Sequence, residues 1–228
     1  MSLNPPFFAT TLDPRIPTEL ELLYQRTRVN VTDDDKMTGI QLLIDALCEL
    51  IDTCFGQIFD EMGRIHPSKE LTEAHAVIED IKGKARHYIA WVGTFIANKR
   101  LPPVIAHYYS MTHPMDLGHG PQLYMAFNVD PAFAAELKQA LAKMMDGTLH
   151  DIHEVVDLLV RVMDVTLEPL LLKPINLMGF NFVINKTLDG VIGVVRILNR
   201  RMLRKLAPSI PRDLYPTVAK HLSQFLFA

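Results

Sequence analysis

The sequence predicts an all-α protein: a single-domain bundle of about six to eight helices built on a long antiparallel hairpin, residues 35–62 and 68–98. Three observations carry this expectation. Apolar residues recur at helical spacing through long stretches, and caps, glycines and prolines punctuate those stretches. No segment sustains two-residue alternation between turn signals. At 49% hydrophobic in 228 residues, the chain holds enough apolar side chain for a sizeable core.

Residues 1–34 read as a proline-punctuated N-terminal segment packed on the domain, with one helix over 17–28. Pro17 suits a first helical turn. Asp33, Asp34 and Asp35 offer an N-cap for the next helix, in which Ile40, Ile44, Leu47, Ile51 and Phe55 recur at helical steps. Gly63 and Pro67 stop it, and Ser68 opens the second arm of the hairpin. Pro102 and Pro103 begin the least regular part, an expected irregular loop over 101–130. Asp130–Pro131 joins an N-cap to a first-turn proline for a helix to about 145. Further helices are expected over 148–168 and 187–206, and a terminal one after Pro211. The remainder, 35–228, reads as one all-α domain with basic C-terminal helices.

Several function classes fall away. The formal net charge of −3, from 23 basic and 26 acidic residues, argues against general nucleic-acid binding. The longest charge-free run, 101–115, is broken by prolines and falls short of the roughly 20 apolar residues of a spanning helix, so no transmembrane segment is expected. No secretory pattern precedes Arg15. Cys48 and Cys54 lie six apart on one expected helix, on different faces, and read as reduced thiols. A cytoplasmic location follows as the expectation. There is no Walker loop, dinucleotide-binding glycine fingerprint, nucleophile elbow, Cys-x-x-Cys or Glu-x-x-His.

Three groups of residues are candidates for chemistry. His107, His113 and His119, six apart and joined by Tyr124, supply the imidazole and phenol groups that bind metal or haem or that line an apolar-ligand site. The bend allowed by Gly118 and Gly120 is suited to aiming His119 inward. Asp146, His150, His153 and Asp157 fall at steps of four, three and four on one expected helix face and are weaker metal candidates. Arg196, Arg200, Arg201, Arg204 and Lys205 crowd the end of the 187–206 helix and are candidates for an anionic partner.

Charge is unevenly spread. Residues 173–228 carry nine basic side chains against Asp189 and Asp213, so the rest of the chain is strongly acidic. The leading expectation is therefore a non-catalytic module that forms homo-oligomers or binds a protein partner through acidic and basic faces. The alternative is a helical enzyme or sensor that uses metal, haem or an apolar ligand at 107–124, with no cofactor identified by the sequence itself. A third is peripheral membrane contact through the basic C-terminal helix.

Overall fold

The computed structural model describes residues 3–117 and 120–228. Its helices are α1 (Arg15–Thr27), α2 (Asp33–Ile51), α3 (Gln57–Ile65), α4 (Lys69–Gly93), α5 (Leu101–Tyr109), α6 (Pro131–Met145), α7 (Ile152–Leu167), α8 (Lys173–Met178), α9 (Phe182–Leu206) and α10 (Tyr215–Ser223). Two π-helical turns, Asp52–Gly56 and Glu168–Leu172, fuse α2 to α3 and α7 to α8. The fold is mostly helical, but it is not all-α. β1 (Phe7–Thr11), β2 (Thr112–Asp116), β3 (Pro121–Asn128) and β4 (Leu226–Phe227) form an antiparallel sheet in the order β2-β3-β1-β4. The stretch 101–130, expected as an irregular loop, instead carries α5, β2 and β3.

β1 and the middle of β3 show no clear alternation because both of their faces are buried. Phe7 and Ala9 of β1 cluster with Tyr124 and Ala126 of β3 on one face. On the other, Phe8 and Phe127 join a helical core, and Met125 joins a second one. A strand buried on both sides reads as an apolar run, not as alternation. Register is explicit: Phe8 faces Phe127, Thr10 faces Met125, and His113 faces Tyr124.

Local signals place most helix starts. Ser68 accepts from the Leu71 amide, and Asp130 accepts from the Phe133 amide. At α2 the cap is Thr32 rather than the aspartates. Its hydroxyl accepts from the Asp35 amide, while the Asp35 carboxylate accepts from the Thr32 amide, a reciprocal capping box. Donation to the Asp35 carboxylate by the Thr32 hydroxyl, and then by the Thr32 amide, holds that carboxyl below its ordinary value, with the Arg26 guanidinium adding to the effect.

Contacts along the rods set their directions. Gly93 meets Ile40, Lys82 pairs with Asp52, and His75 pairs with Asp60, so α4 runs antiparallel to the α2–α3 rod. Arg196 pairs with Asp164 at 3.0 Å and Arg204 with Asp157 at 3.1 Å, so α9 runs antiparallel to α7. Lys205 also reaches Glu73 on α4, and Ile184 and Leu188 share a cluster with Val92 and Ile96. α9 therefore lies antiparallel to α4 as well, with its start beside the end of α4.

Candidate functional site

His107 sits in α5 and is buried. Its Nε2 lies 2.7 Å from the Pro169 carbonyl, in the second π turn, and the neighbouring Tyr108 hydroxyl donates to the Leu170 carbonyl at 2.6 Å. A carbonyl only accepts, so His107 is held as the Nε2–H tautomer, and that nitrogen is committed to the backbone. Burial pushes its pKa below the ordinary histidine value and keeps the ring neutral. The same arrangement recurs at the first π turn. There His221, buried on α10, sets Nε2 3.3 Å from the Cys54 carbonyl, and burial again lowers its pKa. A π turn displaces backbone carbonyls from their regular helical partners, and these two histidines and Tyr108 supply substitutes.

His113 and Tyr124 face each other across β2 and β3, with Tyr124 on the sheet face that holds Phe7, Ala9 and Ala126. His113 is half-buried, and burial lowers its pKa. The sheet face and the Pro169 turn belong to different clusters, so the structure does not bring His107 together with His113 and Tyr124. His119 lies outside the described residues. Among the described residues no group of three or more His, Cys, Asp or Glu side chains converges on a common point.

The Asp146 group also disperses. Gly147 takes φ +78° and ends α6, so Asp146 and His150 do not share a helix with His153 and Asp157. Asp146 accepts from the Thr148 amide and hydroxyl, bonds that lower its pKa. His150 is exposed on the connection, Asp151 rather than His150 caps α7, and His153 is exposed in its first turn. Asp157 pairs with Arg204. The single helical face assumed for these four residues is corrected by that break.

The basic group divides into two. Arg196, Arg204 and Lys205 pair with Asp164, Asp157 and Glu73 across the neighbouring helices. Arg200 and Arg201 are exposed, and among the described residues no carboxylate pairs with either. The same helix also carries exposed apolar side chains. Phe182, Val183, Val194 and Ile197 are 74%, 70%, 50% and 65% exposed. They fall about half a turn around α9 from Ile184, Leu188 and Ile192, which are buried. That separation is legible on a helical wheel, because α9 is apolar on two opposite sides.

One further void of about 40 Å³ lies between α3, α6, α7, α9 and α10, lined by Phe55, Met62, Met144, Leu159 and Leu203 with the Cys54 side chain at its edge. Burial pushes the Cys54 thiol up to about 12, so it is not a thiolate at neutral pH. With apolar walls and no convergent polar groups, the void has nothing to orient a substrate. No family model, curated protein or solved structure matches the chain.

Proposed function

We propose that the protein is a non-catalytic helical module that binds an anionic partner through the outer face of α9. The observation that carries this reading is the row of protruding apolar side chains, Phe182, Val183, Val194 and Ile197, accompanied by exposed cations at Lys186, Arg200 and Arg201. Exposed apolar side chains scattered singly need no explanation, but a row on one helix face with basic flanks suits association. Of the histidines first in line for ligand chemistry, His107 supports the same reading, because its Nε2 is occupied with a π-turn carbonyl. Charge matching within the chain uses up Arg196, Arg204 and Lys205, which narrows the proposed contact to the remaining cations. Two free thiols fit a reducing, cytoplasmic setting.

Native mass spectrometry of gently purified, untagged protein tests this reading, with Arg200→Glu/Arg201→Glu as the comparison. A bound partner retained by the parent chain and lost from the double variant, at unchanged helical circular dichroism, is the expected result. A partner retained equally by both, or a prosthetic group bound at 107–124, would overturn it.

A further inference from the structure

We propose that the partner is an anionic lipid bilayer, with α9 lying along its surface. This rests on the binding-module reading above and names the partner of the same face. From Phe182 to Arg201 the helix covers roughly 28 Å at about 1.5 Å per residue. Phe182 and Val183 stand at its start, and Val194 and Ile197 repeat the apolar face further along. Between them Gly190 and Gly193 leave the face open, since a Cβ added at either would meet nothing within 4 Å. Cations flank the apolar side chains at both ends. Lys186 lies 5.9 Å from the Phe182 ring, and Arg200 and Arg201 follow Ile197. At the start of α9 the Arg100 guanidinium lies against Gly179, whose φ of +62° and closeness to Arg100 both favour glycine. Asp189 is the carboxylate of this helix.

The charge pattern selects among occupants. A second copy is disfavoured, because an antiparallel pair of α9 faces centred on Gly193 sets Lys186 opposite Arg200, cation against cation. A nucleic-acid backbone would use the cations but leave the protruding phenylalanine, valine and isoleucine side chains without apolar contact. A bilayer of acidic lipids uses both: phosphate and carboxylate headgroups face the cations, and the acyl boundary receives the apolar row. No helix of the described residues is long and apolar enough to cross a membrane, so the contact is along the surface.

Co-sedimentation with vesicles of phosphatidylserine and phosphatidylcholine, against phosphatidylcholine alone, tests the proposal on the full chain. The expected result is sedimentation with the acidic vesicles alone, weakening as salt rises. Each surface cation changes partitioning about fivefold, so Arg200→Gln/Arg201→Gln should lower it roughly 25-fold. Phe182→Ser/Ile197→Ser should lower it as well, with net charge unchanged. No sedimentation at low salt overturns the lipid proposal, and so does binding that is indifferent to Phe182→Ser/Ile197→Ser, as for an RNA or soluble polyanion. If the native mass spectrum then still shows a protein partner lost on Arg200→Glu/Arg201→Glu, the binding-module reading stands without the lipid. If neither experiment responds to the arginines, both fall.

Discussion

Replacing His107 by phenylalanine keeps most of the ring volume but removes the donor to the half-buried Pro169 carbonyl. An unsatisfied buried acceptor costs about 1–3 kcal/mol, which urea denaturation of His107→Phe should show. The neutral state of His107 and His221 also fixes the sign of a pH effect. Burial holds both rings below the ordinary value of 6.5, so the unfolded chain takes up protons that the folded chain refuses as pH falls through that value. Their stabilising contribution is present above 6.5 and is lost below it. The Tm should therefore fall between about pH 7.5 and about pH 5.5, and His107→Gln/His221→Gln should flatten that fall. Sequence spacing singled out His107 as a candidate metal or haem ligand, whereas in the fold its Nε2 is committed to a backbone carbonyl. Its partner was illegible, because Pro169 is 62 residues away and only folding brings its carbonyl near.

Among the elements, the helices were readable because their signals are local. The Ser68 and Asp130 caps and the proline after Asp130 sit within one turn of the groups they serve. Thr32→Ala should cost about 1 kcal/mol by removing one side of the capping box at α2. The sheet was not readable, because Phe7, Phe8 and Ala9 are buried and pair with strand residues more than 100 positions away. The π turns were equally hidden; the boundary at Gly147 was legible, but the count of helical steps from Asp146 to Asp157 ran across it and placed them on one face when they are not. Close packing of α4 on α2 gives another element-scale test. A Cβ at Gly93 would stand 2.3 Å from Ile40 Cδ1. Gly93→Ala should destabilise by about 1–3 kcal/mol through overpacking. In a double-mutant cycle Ile40→Ala should recover part of that loss, because the two changes share one contact.

For the whole molecule, the uneven charge of the sequence resolves into two populations. Arg196, Arg204 and Lys205 tie α9 to α7 and α4, whereas Arg200 and Arg201 face outward with the apolar row. Sequence alone showed the cluster but not its division, which depends on which helix lies on each side. The chain start is also part of the whole, since β1 lies between β3 and β4 at the sheet interior. Removing the first 12 residues should abolish cooperative thermal unfolding, read by calorimetry. The central claim is that α9 presents the working surface, and hydroxyl-radical footprinting of the full chain with and without acidic vesicles tests it most directly. Phe182, Val194 and Ile197 should lose reactivity on binding, while Leu22, Ile65 and Met145, exposed elsewhere on the molecule, keep theirs. Protection at Leu22, Ile65 or Met145 with α9 unchanged would contradict the account.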